Sequence, residues 1–523
     1  MRGSSAKRLP PLAPAIGAVV SGLLLAAAFP PLRLGPLSFV ALVPVVVCLY
    51  RRSYSVRAHY NTGYLFGVAF FGGLMWWVVK LSSAASMTVP WLLAPATIVL
   101  VLYLALYPGL FFLLLRWTGR ERRLLAVLLA PALWALVEKL RGSGEFGFPW
   151  GSIGYSLVHE PSLAQGASFA GVLGVGALVV AVNMLLAAGL LAKTAKGKTV
   201  LLALGIGLFA LNHYAGRAEI GRFDAADTGE RYVVALVQPN VPLEIKWKPE
   251  YSDSLFRQIV RLTREAGSHK PDLIVFPETA APVYMRISRA HTKVMSSLSG
   301  ELDAGVFVGF LDARYDGPGG SLDIYNSSGM FLPDGSMGQY DKIHLLPFGE
   351  AIPFAWKFRF LENIDFGQAN FLPGPDRPPL ASPAGKVAPL ICFESTFSDL
   401  PRKAAHRGAD LLANITNDGW FGRTPGPYQH SDMAILRAVE NRRFLVRSGN
   451  TGVTMIVDPV GRITRRLAMD IEGILTGEVH SVGGTTFYTR HGDRPVMTAS
   501  IVVVLAVVLG GTIVSTAKRR SDG

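Results

Sequence analysis

The sequence predicts a multi-span α-helical membrane domain joined to an extracytoplasmic α/β domain. Three observations lead to this fold class. Half of the 523 residues are hydrophobic and the mean hydropathy is positive. Long apolar runs are concentrated in the first 212 residues and return once near the end of the chain. Between them, short strand-like runs alternate with helix-like stretches, which is typical of a layered α/β domain.

The apolar runs predict eight transmembrane helices, because a helix needs about 20 mostly apolar residues to cross a bilayer. They lie at 14–29, 37–50, 64–79, 91–115, 124–137, 167–191, 200–211 and 496–514. The predicted domains are a membrane domain with seven helices (1–212), a soluble domain (213–494), and a C-terminal helix with a short tail (495–523). An excised signal peptide is the alternative for the first run, but a second run follows closely and favours a retained helix.

Lys and Arg are enriched in alternate loops, which predicts the orientation of the chain. They precede the first run and follow the second, fourth, sixth and eighth runs: Arg2, Lys7, Arg8; Arg51, Arg52, Arg57; Arg116, Arg120, Arg122, Arg123; Lys193, Lys196, Lys198; Lys518, Arg519, Arg520. Both termini are therefore predicted to be cytoplasmic and the soluble domain periplasmic. Because these residues flank apolar runs, the formal charge of +14 indicates contact with anionic lipid and no nucleic-acid partner.

The soluble domain is predicted from β-rich runs and the helices between them. The runs lie at 232–238, 272–278, 305–312, 387–394, 410–417 and 452–458. Helix-like stretches at 252–266 and 431–443 separate several of these runs. Strands that alternate with helices favour stacked layers of sheet and helix.

The chain has two cysteines, Cys48 and Cys392. Two cysteines are too few for a disulfide framework, and Cys48 lies in a predicted membrane span. We therefore expect Cys392, at the end of the apolar run PLIC, to be a free thiol.

Several strand ends supply residues that suit covalent catalysis. VFPET contains Glu278, YDKIHLLPFGE contains Lys342 and Glu350, and PLICFES contains Cys392. A thiol attacks as the thiolate, so a nucleophilic cysteine needs a base and a nearby cation. Each residue also has a simpler role: Cys392 as a small buried hydrophobe, Glu278 as a strand terminus and Lys342 as a surface charge. Their spacing alone does not bring them together.

Taken in order, the blocks FPET, DKIHLLPFGE and CFES resemble the Glu-Lys-Cys signature of the nitrilase (carbon–nitrogen hydrolase) superfamily. The apolar N-terminal half, the single C-terminal span and the block FGFPWGSIGYS at 146–156 further resemble its membrane-embedded branch, the apolipoprotein N-acyltransferase family. The resemblance covers nearly the whole chain. It implies a nitrilase-like αββα sandwich for the soluble domain.

The resemblance also implies residue roles. Cys392 matches the nucleophile, Glu278 the general base, and Lys342 the residue that stabilises the tetrahedral intermediate. The matching supporting or substrate-binding positions are Glu350, Glu394, Phe393, Trp420, Asn326 and Trp247.

Two positions depart from the family pattern. Phe393 stands where many members have Tyr. Pro239 stands where Gly is expected before Asn240, so the early motif that contains Asn240 and Trp247 matches only in part.

The reaction implied by the resemblance is acyl transfer in two steps. The Cys392 thiolate would take an acyl chain from the sn-1 ester of a phospholipid such as phosphatidylethanolamine. The N-terminal amine of a diacylglyceryl-cysteine apolipoprotein would then take the chain from the thioester, with ping-pong kinetics. We expect a monomer in the bacterial inner membrane, without a cofactor. The histidines lack metal-ligand spacing, so we expect no catalytic metal.

Other aromatic and charged residues receive structural assignments. The segment 351–366 alternates aromatic with polar or basic residues, which predicts either an extended lid at the lipid headgroups or a core strand. Interfacial anchors are predicted at Trp76, Trp77, Trp134 and Trp150. A snorkelling helix end is predicted at Glu138, Lys139 and Arg141.

Two other functions are compatible with parts of the sequence. A membrane-anchored nitrilase-type amidase would use the same cysteine cluster, but one span would suffice as its anchor. A transporter or receptor with an extracellular ligand-binding domain would tolerate Cys392→Ser, but few charged residues lie within the predicted spans.

Overall fold

The computed structural model of the chain describes residues 12–83, 90–118, 123–226, 229–315, 322–355, 357–358 and 370–521, without the side chains of residues 82, 83, 90, 123 and 510–521. Within these ranges the chain forms an N-terminal helical bundle, an α/β domain and a C-terminal helix. Of the predicted lid, Trp356, Arg359 and Phe360 lie outside the described residues, and residues 353–355 form a turn.

The N-terminal bundle consists of apolar helices. They are α1 (Leu12–Ala27), α2 (Ser38–Ala41), α3 (Val43–Arg51), α4 (Val56–Met75), α5 (Leu93–Leu115), α6 (Arg123–Arg141), α7 (Pro161–Ala164), α8 (Ala167–Leu191) and α9 (Ala195–Ala225). Among the described residues, four helical stretches are long and apolar enough to cross a membrane: Val56–Leu81, Leu93–Thr118, Ala167–Leu191 and Ala195–Ala225. These stretches contain the third, fourth, sixth and seventh predicted spans almost entirely.

The other predicted spans fall in shorter or less apolar helices. The first, second and last fall in Leu12–Ala27, Gly35–Arg51 and Arg494–Leu509, and the fifth falls in α6. The predicted boundary between the membrane domain and the soluble domain, after residue 212, lies inside α9. This helix continues to Ala225, and the first strand begins at Arg231.

The α/β domain carries the strands. They are β1 (Arg231–Gln238), β2 (Leu273–Val275), β3 (Ala281–Tyr284), β4 (Gly305–Tyr315), β5 (Leu322–Phe331), β6 (Met337–Asp341), β7 (Leu380–Ser382), β8 (Gly385–Ile391), β9 (Leu411–Thr416), β10 (Phe444–Gly449), β11 (Thr454–Val457), β12 (Ile463–Leu467) and β13 (Gly473–His480). The helices of this half are α10 (Leu243–Lys246), α11 (Ser252–Gly267), α12 (Arg289–Leu302), α13 (Asp399–His406), α14 (Gly426–Asn441), α15 (Phe487–His491) and α16 (Arg494–Ser521).

Two sheets are formed by the described strands. In the first, the order is β13-β1-β2-β4-β5-β6, with β3 paired to β4. In the second, it is β12-β11-β10-β9-β8-β7. The central strands β1, β2 and β4 are parallel, as are β8, β9 and β10. Because parallel strands of one sheet end at the same edge, the residues that follow β8 and β9 lie on one side of the second sheet. A hydrogen bond from the Asn417 N–H, after β9, to Glu278, after β2, joins this side to the first sheet.

Side-chain alternation builds the layers. In β1, Val234 and Leu236 pack in the core between the sheets, whereas Ala235 and Val237 pack under α11 and α12. In β9, Leu411 and Ala413 point into the core between the sheets, and Leu412 points the other way. A strand buried on both faces needs this alternation of two apolar sets. The result is the predicted αββα arrangement.

Helix α14 lies between the second sheet and the bundle. It contacts β10 on one side and α8 on the other. Its apolar side chains share one continuous core with residues of the bundle, such as Val172 and Ile153, and with the outer face of the second sheet, such as Leu445. The α/β domain is therefore packed against the bundle, not suspended from it.

The prediction of interfacial anchors is wrong for three of the tryptophans. Trp77, Trp134 and Trp150 are buried, whereas Trp76 is exposed. Trp77 and Trp150 lie against each other with ring centroids 5.6 Å apart. A single sequence does not show that the loop after α6 folds back onto α14 and buries these rings.

Candidate active site

Cys392 lies directly after β8, at the first position of a short 3-10 helix, Cys392–Thr396. Its φ is 53°, in the left-handed region, where a residue with a side chain is strained by about 1–3 kcal/mol. The side chain is half-buried and the thiol is free, as is that of Cys48. The chain therefore turns sharply at the nucleophile position and does not continue the strand as the sequence predicts.

A buried ion cluster accompanies the cysteine. Lys342 follows β6, and its Nζ lies 2.8 Å from each carboxylate oxygen of Glu350 and 3.5 Å from Oε1 of Glu278. Lys342 is only 1% exposed. One cation between two carboxylates leaves the cluster with a net negative charge. A charge buried to this extent requires such partners, because its desolvation is costly.

Glu278 is fixed from two sides. Nδ2 of Asn326, on β5, donates to Oε1 of Glu278 at 2.8 Å and to Oε1 of Glu350 at 2.9 Å. The backbone N–H of Asn417, just after β9, donates to Oε2 of Glu278 at 2.9 Å. Asn326 is thus the residue that joins the two glutamates, and the carboxylate of Glu278 has a defined orientation.

The electrostatics of Cys392 and Lys342 are coupled through Glu278. Burial and the Glu278 carboxylate raise the pKa of the Cys392 thiol, while the Lys342 ammonium lowers it. Burial disfavours the Lys342 ammonium, but the carboxylates of Glu350 and Glu278 outweigh burial and raise the Lys342 pKa. The site therefore combines a neutral thiol, a carboxylate that can accept its proton and a cation that stays charged.

Glu394, expected to support the site, is fully buried and braces the backbone around Cys392. Its Oε1 accepts hydrogen bonds from the Tyr340 hydroxyl at 2.8 Å and from the N–H groups of Ile343 at 2.7 Å and His344 at 3.2 Å. Its Oε2 accepts from the Ile391 N–H at 2.7 Å. Glu394 thereby ties the loop after Lys342 to the turn that carries the cysteine.

Phe393 packs toward the helical bundle. It is buried, and its ring lies 6.3 Å from Phe148 and 5.1 Å from Phe397. Phe148 belongs to the block FGFPWGSIGYS after α6. The residue next to Cys392 therefore contacts the helical bundle directly.

Trp420 and Trp247 are not part of the buried cluster. They are 41% and 44% exposed, and neither indole has a hydrogen bond to the cluster within the described ranges. A surface cavity of about 260 Å³ is lined by Gly419 and Gly422, on either side of Trp420, and by Leu243 and Glu244, a few residues before Trp247. Asn240, at the partly matched early motif, lines the same cavity.

A second buried network was not predicted from the sequence. Nδ1 of His430 lies 2.9 Å from Oδ1 of Asp418, and Nη2 of Arg447 donates to Oδ2 of Asp418 at 2.8 Å. Arg447 also donates to Asn414. Burial opposes the Asp418 carboxylate, but Arg447 and His430 outweigh it and lower the Asp418 pKa. The sequence gives only weak signs of this network, namely an arginine inside the strand FLVRSG and a histidine in GPYQH.

The loop after α6 is held from inside the bundle. Arg141 donates to the backbone oxygens of Phe148 and Trp150 and to the hydroxyl of Ser152. Glu138 accepts from the Ile153 N–H at 2.8 Å. Both side chains are buried, so their predicted role as a snorkelling helix end is wrong; only Lys139 is exposed, where it pairs with Asp493.

Within the described ranges, no group of three or more His, Cys, Asp or Glu side chains is arranged to hold a metal ion. The polar side chains around Cys392 form hydrogen bonds and ion pairs with each other. The arrangement suits thiol chemistry with a carboxylate base, in which an acyl group is attached to the cysteine and then transferred.

Comparisons with known proteins identify the family of the two domains. Family models match for the apolipoprotein N-acyltransferase N-terminal domain over residues 21–185 and for carbon-nitrogen hydrolase over residues 233–486. An apolipoprotein N-acyltransferase of Geobacter metallireducens is 35% identical over 502 residues, which cover 94% of each chain. One of Rhodopseudomonas palustris is 32% identical over 520 residues, 95% of this chain and 94% of that protein.

A solved structure of a carbon-nitrogen hydrolase from Helicobacter pylori also aligns, with 18% identity and a TM-score of 0.38, over 48% of this chain and 89% of that chain. The two family models match the helical bundle and the α/β domain in turn, and the relatives extend along nearly the whole chain. Because relatives more than 30% identical extend along nearly the whole chain and both domain models match, the protein belongs to the apolipoprotein N-acyltransferase family.

Proposed function

We propose that the protein transfers an acyl chain from the sn-1 position of a membrane phospholipid, phosphatidylethanolamine, to the N-terminal α-amine of the diacylglyceryl-cysteine of apolipoproteins. This is the final step of bacterial lipoprotein maturation. The observation that carries the proposal is the packing of the cysteine turn on the helical bundle, through Phe393 and Phe148. A nucleophile built onto a membrane domain suits two substrates that are both anchored in lipid.

In the first step, Glu278 takes the proton of the Cys392 thiol and the thiolate attacks the ester carbonyl. The oxyanion of the tetrahedral intermediate is stabilised by the Lys342 ammonium and by the Phe393 N–H. When the intermediate collapses, the lysophospholipid alkoxide takes the proton back from Glu278 and leaves. The acyl chain remains on Cys392 as a thioester.

In the second step, the α-amine of the lipoprotein attacks the thioester carbonyl. Glu278 accepts a proton from the amine nitrogen, and the Cys392 thiolate leaves and is reprotonated. The product is an amide, which is more stable than the thioester. Because the first product leaves before the second substrate reacts, the kinetics are ping-pong.

A membrane domain reduces the cost of this reaction. A soluble enzyme would have to extract an acyl chain from the bilayer at about 0.8 kcal/mol for each CH₂ group. Trp247 and Trp420 are both exposed, and Trp420 lies between residues that line the 260 Å³ cavity; both are proposed to contact substrate. The roles of Glu350, Asn326 and Glu394 are to hold the charged and strained parts of the site in place.

The proposed location is the bacterial inner membrane, with both termini cytoplasmic and the catalytic domain periplasmic. Lys and Arg in alternate loops support this topology. We propose a seven-span membrane domain (1–212), a catalytic domain (213–494) and a C-terminal span with its tail (495–523), acting as a monomer.

Intact-protein mass spectrometry tests the proposal. The detergent-solubilised protein is mixed with phosphatidylethanolamine, alongside the Cys392→Ala variant. The expected result is an added acyl mass on the wild type alone. A diacylglyceryl-cysteine peptide should then discharge the adduct and acquire the acyl chain as an amide.

Two results would count against the proposal. An adduct that water discharges as fast as the peptide indicates a hydrolase. Hydrolysis of small amides without any requirement for phospholipid indicates a membrane-anchored amidase.

A further inference from the structure

The backbone carbonyl of Cys392 is held by side chains from three elements. Nε2 of His430, on α14, lies 3.0 Å from this oxygen. The hydroxyl of Ser395, in the 3-10 helix, donates to it at 3.1 Å, and Nδ2 of Asn414, on β9, lies 3.5 Å away. A carbonyl oxygen only accepts, so Nε2 of His430 carries the proton in this contact.

His430 is itself held in place from behind. It is 1% exposed. With the proton on Nε2, Nδ1 of the neutral ring accepts a hydrogen bond from Nη2 of Arg447 at 3.1 Å, and Asp418 holds Arg447 in turn, 2.8 Å from the same nitrogen. Its ring stacks on Trp150 at 5.8 Å with an interplanar angle of 26°. Contacts at both nitrogens and on the ring face leave the imidazole little freedom to rotate.

The carbonyl of Cys392 and the N–H of Phe393 belong to one planar peptide group. Fixing the oxygen therefore fixes the direction of the N–H on the opposite side of the peptide. Hydrogen bonds to the oxygen also polarise the group and make the N–H a stronger donor. The left-handed φ of Cys392 would otherwise be free to relax toward a more common conformation.

We propose that His430 is a positioning residue for acyl transfer: by holding the Cys392 carbonyl, it directs the Phe393 N–H at the oxyanion of the tetrahedral intermediate. The inference rests on the proposed function, because that oxyanion forms only when an acyl carbonyl is attacked. Lys342 and Glu278 do not require His430 for their own contacts. Thiol ionisation and oxyanion stabilisation are therefore separable in this site.

The test compares two reactions of the same thiol. Alkylation of Cys392 by iodoacetamide needs a thiolate but forms no oxyanion at a carbonyl. Acylation by phosphatidylethanolamine, or by a p-nitrophenyl acyl ester as a second donor, needs both. Both rates are measured by intact-protein mass spectrometry, at several donor concentrations so that KM and kcat for acylation are obtained separately.

Four variants complete the design. His430→Phe keeps an aromatic ring against Trp150 but removes the N–H, and His430→Gln restores a donor of similar reach. Ser395→Ala removes another donor to the same oxygen and serves if His430→Phe does not fold. His269→Phe, at an exposed histidine, is the matched control.

The expected result is a selective loss. In His430→Phe, kcat for acylation falls roughly 10- to 100-fold, less than the loss of an oxyanion donor itself. The rate of alkylation and the KM for the acyl donor stay at the wild-type values. His430→Gln recovers part of the loss, Ser395→Ala shows a smaller loss, and His269→Phe behaves as the wild type.

Two results would overturn the inference. If the rates of alkylation and acylation fall in parallel in His430→Phe, His430 only stabilises the fold. If acylation is unchanged in both His430→Phe and Ser395→Ala, the contact with the Cys392 carbonyl is unimportant for the reaction. Failure of the proposed function looks different. In that case the wild type is acylated by the p-nitrophenyl ester and not by phospholipid, and the variants are compared with the ester as donor. If neither donor acylates the wild type, the proposed function and the role of His430 are both overturned.

Discussion

Lys342 and Glu278 lie 3.5 Å apart, ammonium nitrogen to carboxylate oxygen, with both side chains buried beside Cys392. They act on the thiol with opposite sign: the carboxylate raises the pKa of Cys392 and the ammonium lowers it. The two residues are thus a matched pair of electrostatic probes. Replacing each by a neutral side chain of similar size should move the ionisation of Cys392 in opposite directions.

Glu278→Gln should lower the pKa of the Cys392 thiol, because the negative charge that opposes the thiolate is removed. The rate of iodoacetamide alkylation, measured against pH by mass spectrometry, should reach half its plateau at a lower pH than in the wild type. Acyl transfer should nevertheless fall by about 10²- to 10⁴-fold, because the proposed general base is lost. An alkylation profile that moves to higher pH would contradict the assigned geometry.

Lys342→Met should have the opposite effect on the thiol. Without the ammonium, the pKa of Cys392 rises further and half-maximal alkylation moves to higher pH. Acylation falls as well, because the cation that stabilises the intermediate is missing. The Cys392→Ala variant shows which alkylation signal belongs to this thiol. If the alkylation profiles of Glu278→Gln and Lys342→Met shifted by the same amount in the same direction, the shifts would reflect a general loss of stability and not the charge that each substitution removes.

Glu394→Ala should destabilise the protein by about 3–5 kcal/mol. The substitution removes the acceptor of four hydrogen bonds, from Tyr340, Ile343, His344 and Ile391, and leaves two buried and two partly buried donors without this partner. Urea or thermal unfolding followed by circular dichroism measures the change. The matched control is Glu301→Ala, at an exposed carboxylate paired with Arg264, where we expect less than about 0.5 kcal/mol. A similar loss in both variants would refute the bracing role.

The buried ammonium of Lys246 should make the stability of the protein depend on pH. Its Nζ is buried 3.2 Å from the backbone oxygen of Glu278. Burial lowers the Lys246 pKa to about 8, and the Glu278 carboxylate opposes this shift. In the unfolded chain a lysine has a pKa near ~10.4. Below pH 8 the lysine is charged in both states, and its burial lowers the free energy of unfolding by the full amount. This destabilisation decreases as the pH rises above 8 and is gone once the pH exceeds the pKa of the lysine in the unfolded chain.

Lys246→Met should accordingly raise the midpoint of thermal unfolding at pH 7 by about 2–8 °C. The gain should shrink above pH 8, since the wild-type lysine then becomes neutral in the folded state. Activity should fall, because the carbonyl of Glu278 loses a donor. Lys248→Met, at an exposed neighbour, is the control and should change neither. A gain that stays constant up to pH 10 would exclude titration of Lys246 as its cause.

The strand pattern of the α/β domain is largely predictable from the sequence, but the strand ends at the site are not. The run 387–394 reads as one strand, whereas β8 ends at Ile391 and Cys392 turns into a left-handed conformation. Likewise β2 ends at Val275, three residues before Glu278. Local propensity favours continued strands there, and tertiary contacts override it, such as the hydrogen bond from Tyr340 to Glu394 and the contact of His430 with the Cys392 carbonyl.

The buried polar network was missed for a related reason. The sequence predicts a helix that begins at Ser431, whereas α14 begins at Gly426 and is buried on all sides. Because the polar residues of this helix are buried like its apolar ones, polar and apolar positions do not separate into a solvent face and a core face, and no amphipathic period marks its start. Gln429 and His430 therefore fell outside the predicted helix. Arg447 interrupts an apolar run, and only the fold shows that Asp418 compensates its charge.

Gln429 supplies the last prediction, which concerns the contact between the two domains. The side chain is buried, and Oε1 accepts from the indole N–H groups of Trp77 at 3.0 Å and Trp150 at 2.8 Å. Nε2 donates at 3.1 Å to the backbone oxygens of Pro30 and Leu74. One amide on α14 thus satisfies four groups of the helical bundle, in the residue next to His430.

Gln429→Leu keeps the volume but leaves two indole N–H groups and two carbonyls without this partner. We expect a loss of about 2–4 kcal/mol, seen as a lower midpoint of thermal unfolding in detergent. Gln258→Leu is the control, because Gln258 is only half-buried and bonds Pro239 and Glu472 near the surface. If the bundle were only an anchor, the variant would lose stability and keep the wild-type acylation rate below its unfolding temperature. Since Trp150 also stacks on His430, we expect kcat for acylation to fall as well, with the alkylation rate of Cys392 unchanged.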